Sequence, residues 1–318
     1  MTVIVETPVI EAARTTGFVW LDLTRKCQLQ CSHCHNGSSP AGAHGTMTAE
    51  DWTRVLDDIA AAGIPHVQFT GGEVTMHPDA PSLIEHALTL GLRVEVYSNL
   101  VHVNADWWQL LRRQGVSLAT SYYGGEDRHN AVTRRPSHAR TRANIKRAVE
   151  YGIPLRASVI VFEASDTGKS AKTDLRNLGV QDIGVDHVRP FGRAAGGQQP
   201  CTDGLCGRCG DGRASIGPDG EVSPCVFSTW MGVGNVQDTP LTAILGGPAM
   251  AHANATIRAA RDKLAPDNKC GPDKRCQPDS SCGPNSSCGP DRQPRPCSPQ
   301  DSDECRPGTP PSNCGPRN

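Results

Sequence analysis

The chain has 318 residues, 14 of them cysteine, and balances 32 Lys and Arg against 33 Asp and Glu for a formal net charge of −1. That balance gives no electrostatic footprint for nucleic acid or an anionic membrane. No apolar run approaches the roughly 18 residues that span a bilayer, and Met1-Thr-Val-Ile-Val-Glu6 lacks a basic-then-apolar export signal. These features set the expectation of a cytoplasmic protein with no nucleic-acid or membrane partner. Its cysteines fall in three separate groups, which reads as metal ligation rather than a disulfide framework.

After an N-terminal segment, 1–16, an apolar strand pattern at 18–23 runs directly into Cys27-Gln-Leu-Gln-Cys31-Ser-His-Cys34. Three thiols at this spacing can wrap one face of an iron–sulfur cubane. Four irons need four ligands, so one iron is left open to a small molecule. By spacing alone a zinc knuckle competes.

Strand patterns continue at 66–70, 93–98, 117–121, 155–162 and 183–188. Between them lie helical patterns at 49–62, behind a Thr48 cap, and at 80–90, 105–114 and 138–151, the last three closed by Gly91, Gly115 and Gly152. Strand–helix alternation with glycine stops predicts βα units on a parallel sheet, as a partial barrel or a doubly wound sheet. In either, the C-terminal strand ends line the site.

The second strand ends in Phe69-Thr-Gly-Gly-Glu73, where paired glycines allow close backbone approach and a carboxylate can accept from an ammonium group. Asn99 and Ser121 lie at the ends of the third and fourth strands, and Arg156 lies on the fifth. Glu126, Asp127, His129, Arg134 and Arg135 then read as a solvated charged loop at the mouth.

From about residue 189 the rhythm stops. Cys201-x4-Cys206-x2-Cys209-x15-Cys225, with a Gly217-Pro-Asp-Gly220 turn between two short strand patterns, forms a plausible closed thiol site, for which a zinc ribbon competes. Residues 266–318 carry no aliphatic or aromatic side chain and repeat Cys-Gly-Pro-Asp-like hexapeptides at Cys270, Cys276, Cys282 and Cys288. This predicts a disordered tail. Metal capture, or a fused or mimicked peptide substrate, are the other readings.

The C-x3-C-x2-C triplet, followed about forty residues later by a strand-borne Gly-Gly-Glu, resembles the signature of the radical S-adenosylmethionine (SAM) enzymes. The resemblance implies a partial (β/α)6 TIM-like barrel over 17–190. It also implies a 4Fe-4S cluster on Cys27, Cys31 and Cys34 whose open iron binds SAM, yielding a 5′-deoxyadenosyl radical. Gly71, Gly72 and Glu73 would bind the SAM amine, and Asn99 would lie near its ribose and carboxylate. Ser121 would contact the ribose, and Arg156 the carboxylate. His33 stands where the family usually has an aromatic residue and would stack on adenine.

The Cys209-x10-Gly220-x4-Cys225 run, with Gly234-Asn-Val and Pro240-Leu241 after it, resembles the SPASM or Twitch extension of that family, here 191–260. That implies one auxiliary 4Fe-4S cluster on Cys201, Cys206, Cys209 and Cys225. The seven-cysteine SPASM series is incomplete, and a three-cysteine site with Cys201 as bystander stays open. The functional expectation is oxidative maturation of a ribosomally synthesised peptide by cross-link, thioether or epimerisation. Dehydrogenation or rearrangement of a small sugar- or nucleoside-like metabolite is the alternative. A non-catalytic metal-binding interaction protein is the rival from another class. A flavodoxin or ferredoxin reductant is expected as partner. Only about sixteen residues precede the first strand, too few for a folded recognition domain, which weighs against the peptide reading; a separate peptide-recognition protein could still bind a leader. No catalytic acid, base or hydrogen donor is named.

Overall fold

Short strands with one apolar and one polar face set the architecture of the computed structural model, whose described residues are 16–163, 166–209 and 211–264. β1 (Phe18–Asp22), β2 (His66–Thr70), β3 (Arg93–Tyr97), β4 (Val116–Tyr122), β5 (Leu155–Val161) and β6 (Asp182–His187) pair in parallel, each with the next. The helices are α1 (Ala49–Ala61), α2 (Ala80–Thr89), α3 (Ala105–Leu111), α4 (Glu126–Thr133), α5 (His138–Glu150), α6 (Lys169–Asn177), α7 (Leu241–Leu245) and α8 (Pro248–Leu264). The result is a partial barrel, with all parallel strand ends presented on one side.

A parallel sheet buried on both faces is usually apolar throughout. Here the residues alternate. Val19, Leu21, Val67, Phe69, Val94, Val96, Leu118 and Val159 belong to one continuous core with the helices. The intervening Trp20, Gln68, Tyr97, Ser121, Arg156 and Ser158 line a cavity instead. α1 shows how the helices attach. Thr48 and Asp51 form a reciprocal capping box, and Trp52, Val55, Leu56 and Ile59 fall on one buried stripe at helical spacing.

Three elements differ from the sequence expectation. The charged stretch at 126–135 is not a loop: it forms α4, ended by Arg134 in the left-handed region at φ 55. α6 has no counterpart among the predicted helices. Both helices bury few residues, His129, Val132 and Thr133 in α4 and Ala171 and Leu175 in α6, so their apolar periodicity is too thin to read. Third, the cysteine-rich extension continues the sheet. β7 (Arg213–Ile216) pairs in parallel with β1, and β8 (Glu221–Ser223) and β9 (Gly234–Asn235) add antiparallel strands, giving the order β6-β5-β4-β3-β2-β1-β7-β8-β9. The turn at 217–220 separates β7 from β8 as expected.

Among the described residues no helix is long and apolar enough to cross a membrane. The N-terminal segment up to residue 15 and the tail predicted over 266–318 lie outside the described residues.

Candidate cluster and cofactor site

The loop after β1 is pinned by backbone. Cys27 N donates to Ser39 O at 3.0 Å, Gly72 N to Thr24 O at 2.6 Å, and Glu73 N to Lys26 O at 2.9 Å. The end of β2 therefore lies directly on the cysteine loop. A Cβ at Gly72 would come 2.4 Å from Lys26 O, so the glycine is required by that contact before any ligand is considered.

Cys27, Cys31 and Cys34 all line one cavity of about 290 Å³ at the strand ends, with Gly71, Gly72, Asn99, Ser121, Arg156 and His33. Burial pushes the Cys27 thiol up to about 12, with the neighbouring Glu73 adding to it, and burial pushes Cys31 up to about 11. Cys34 Sγ donates to Asn36 Oδ1 at 3.0 Å.

Glu73 is the exception among the predicted SAM contacts. It is 1% exposed, and protein donors occupy both carboxylate oxygens. Oε1 accepts from Thr75 N, Thr75 Oγ1 and Ser98 Oγ, and Oε2 from Asn99 N at 2.8 Å. Burial raises its pKa despite these bonds. Its place is behind the cavity wall, where it fixes the end of β3. Asn99 then faces the cavity and exchanges a reciprocal amide pair with Gln28, at 3.1 and 3.2 Å. Thr141 Oγ1 and Asn144 Nδ2 hold the carbonyls of Asn99 and Leu100, with Leu100 in the left-handed region at φ 57.

Arg156 lines the cavity with its fork engaged, Nε to Glu95 Oε2 at 2.7 Å and an Nη to Glu95 Oε1 at 2.8 Å, above the Tyr97 ring. Burial raises the Glu95 carboxyl, but its bonds to Arg156 and Gln68 hold it below the usual range. Ser121 Oγ shares a hydrogen bond with Tyr97 OH at 2.8 Å. His33 packs edge-on against Tyr123 and Phe162, and burial lowers its pKa to about 4.

Sequence reasoning missed Asp186 and His35, and took His129 for part of a solvated loop although it lines the cavity. His129 is 1% exposed and lowered to about 4 by burial, with Nδ1 unpartnered among the described residues. Asp186, at the end of β6, is raised by burial while paired with Arg189 at 3.2 Å. His35 follows the third cysteine immediately, and burial takes it to about 4. The only signal was the placement of Asp186 on a strand end and His35 beside the triplet.

In the extension, Cys206, Cys209 and Cys225 meet, with Cys225 Sγ 3.1 Å from Cys209 Sγ. Hydrogen bonding to Cys209 brings Cys206 down to about 5, with Arg189 and Arg213 nearby, and it also lowers Cys225. Cys209, which shares hydrogen bonds with both, is pushed up. Cys209 and Cys225 are buried with Phe191, Leu205 and Ile257, against Phe227 and Trp20. Cys201 is exposed, and among the described residues no hydrogen bond joins it to the other three. The structure thus brings together three of the four predicted thiols. Both donor sets fit iron–sulfur chemistry: soft sulfur ligands in a largely buried setting, and in the first group an open side facing a cavity lined by paired glycines.

A partial parallel barrel with a thiol triplet at its mouth, and a second thiol group carried on the same sheet, defines a class of cluster-bearing barrel proteins. Residues 21–164 match the Radical SAM superfamily model, and residues 206–277 match the iron–sulfur cluster-binding domain SPASM. The chain thus contains a domain of the radical SAM superfamily, followed by a SPASM-type extension. Its cofactors are accordingly a 4Fe-4S cluster with SAM and, in the extension, auxiliary iron–sulfur centres.

Among curated relatives it is 26% identical over 265 residues to the antilisterial bacteriocin subtilosin biosynthesis protein AlbA of Bacillus subtilis (strain 168), covering 71% of this chain and 59% of AlbA. It is 24% identical over 272 residues to the PqqA peptide cyclase of Streptomyces rochei, covering 70% of this chain and 74% of the cyclase. The chain thus spans about three fifths of AlbA. A crystal structure of Streptococcus suis SuiB bound to S-adenosylmethionine superposes with a TM-score of 0.62 at 14% identity, covering 77% of this chain and 68% of SuiB. SuiB has also been crystallised with its precursor peptide SuiA. The likeness to SuiB is one of fold.

Proposed function

We propose that this protein is a SAM-cleaving enzyme that oxidatively modifies a ribosomally made peptide. The observation that carries the reading is one cavity at the strand ends lined by Cys27, Cys31, Cys34, Gly71 and Gly72. The relatives AlbA and the PqqA peptide cyclase, by their names, and SuiB, by its bound precursor, support a peptide as the substrate class.

Cys27, Cys31 and Cys34 would hold the 4Fe-4S cluster, and Cys206, Cys209 and Cys225 the auxiliary one, with Cys201 as a bystander. Bound there, the clusters supply the electron for reductive SAM cleavage to a 5′-deoxyadenosyl radical and an acceptor for the surplus electron of a net oxidation. The protein's part is placement. Gly71 and Gly72 would offer backbone to SAM, Asn99 and Ser121 would border its polar groups, and Glu73 holds the β3 end through Ser98 and Asn99. His33 is kept neutral among Tyr123 and Phe162, suited to packing on an uncharged base. Asp186 and His129 stand on the cavity wall as groups able to take a proton there. A cytoplasmic setting, a flavodoxin- or ferredoxin-type reductant and a peptide-recognition partner belong to the same proposal.

Anaerobic reconstitution tests it. Wild-type protein should release 5′-deoxyadenosine with SAM and a reductant, and deuterium from a labelled candidate peptide should appear in it. Replacing Cys27, Cys31 and Cys34 with Ala should abolish cleavage, whereas replacing Cys206 and Cys209 should leave cleavage and stop product formation. Deuterium arriving from a sugar or nucleoside and never from peptide would transfer the reading to a small metabolite. Zinc loading without deoxyadenosine would end the enzyme reading.

A further inference from the structure

The segment that leads from β6 to the second cysteine group does not pass clear of the first. At Gly192–Ala195 it forms a 3-10 turn laid against the cysteine loop. Gly192, at φ 55, sits so close that a Cβ would come 2.3 Å from the carbonyl oxygens of both Cys34 and His35. Arg193 N donates to Cys34 O at 3.0 Å. Its guanidinium then divides among three further carbonyls: Nε to Cys31 O at 2.7 Å, Nη1 to Gly37 O at 2.8 Å and Nη2 to Ser38 O at 2.8 Å. All three guanidinium nitrogens are thus spent on one loop, which a rigid planar fork does better than a point charge. Among the described residues no carboxylate pairs with Arg193. Its positive charge is therefore left on the loop that carries Cys31 and Cys34.

We propose that Arg193 is a positioning residue for the cluster loop, fixing the carbonyls of Cys31, Gly37 and Ser38 and setting an unneutralised cation beside the cluster. It makes the shape and the reduction potential of the SAM site depend on the linker that carries the second cysteine group. The proposal rests on the reading that Cys27, Cys31 and Cys34 hold a 4Fe-4S cluster. Adding an electron to a cluster makes it more negative, so a nearby cation stabilises the reduced form and raises the potential. Backbone hydrogen bonds and ligand orientation outside the coordinating atoms tune such centres in the same way.

Two full-length variants separate the fork from the charge. In metal-free protein, Arg193→Met should speed hydrogen exchange of the amides at 34–39 by roughly tenfold or more, because local opening no longer breaks charge-assisted bonds. Exchange in α1 should stay as in wild type. After reconstitution, the N-terminal cluster of Arg193→Met should titrate by electron paramagnetic resonance at a lower midpoint than wild type. Arg193→Lys, which keeps the charge without the fork, should speed exchange but hold a midpoint near wild type. Unchanged exchange at 34–39 in Arg193→Met overturns the pinning, and so does acceleration spread equally to α1. An unchanged Arg193→Met midpoint overturns the electrostatic part. Wild-type protein that assembles no four-iron cluster overturns the cofactor reading and that electrostatic part, while exchange in metal-free protein still decides the pinning.

Discussion

At the scale of single residues, the two thiol groups differ in what their surroundings do to a proton. Burial holds Cys27 and Cys31 as thiols up to about 12 and about 11, whereas hydrogen bonding within its group makes the exposed Cys206 a thiolate above about 5. The thiolate is the nucleophile and the metal ligand. In metal-free protein, Cys206 should therefore alkylate readily at pH 7. Cys27 and Cys31 should react only as the pH climbs toward 11, and peptide mass mapping after iodoacetamide pulses would show the order. Equal labelling of all three at pH 7 would contradict it. Loading iron at the first site must displace protons from Cys27 and Cys31, so assembly there should also be favoured by higher pH.

The first cysteine group and the glycine pair were legible because their spacing is local: the triplet occupies eight consecutive positions and the glycines are adjacent. The part of Glu73 was not. Its type and place suggest an ammonium partner, but its bonds to Ser98 and Asn99, about 25 residues further on, could not be read from the sequence. Gln28 and Arg193 were missed for the same reason, since their partners lie 71 and more than 150 residues away in the chain. Arg156 lines the cavity, and its engagement by Glu95 needed the register of β3 and β5 to be known.

At the scale of elements, the helices that could be read are those with caps and a full apolar stripe. α1 announces itself through Thr48 and the spacing of Trp52, Val55, Leu56 and Ile59. The cap makes a prediction of its own. Thr48→Ala should cost about 1 kcal/mol in denaturant unfolding, and a loss under about 0.3 kcal/mol would show the cap to be idle. The Asp51 partner, bonded to Thr48 backbone and side chain, is lowered to about 2 in the folded protein against about 3.9 in an unfolded chain. A depressed folded pKa stabilises above the unfolded value, so this contribution is complete above about pH 4 and disappears as the pH falls through about 2. α4 and α6 offer no such pattern, and the parallel pairing of the four-residue β7 is invisible to local reasoning.

At the scale of the molecule, the extension is built onto the barrel sheet rather than attached beside it. β7 shares β1 with β2, and Thr46 N and Met47 N both donate to Pro218 O in the turn that follows β7, each at 3.1 Å. Barrel and extension should therefore unfold together. Circular dichroism and the fluorescence of a variant retaining only Trp230, which stacks on Phe191, should give one coincident denaturant midpoint. An earlier transition at Trp230 would show the extension melting alone.

The position of β1 between β2 and β7 also has a cost in time. Its second neighbour lies about 195 residues downstream, which a ribosome needs roughly ten to forty seconds to deliver. Throughout that interval Phe18-Val-Trp-Leu-Asp22 presents an unpaired edge of high β-propensity. The same strand that launches the cysteine loop is thus open to wrong pairing during synthesis. Slower translation would lengthen that exposure, and low-temperature expression helps only to the extent that it slows aggregation more than elongation.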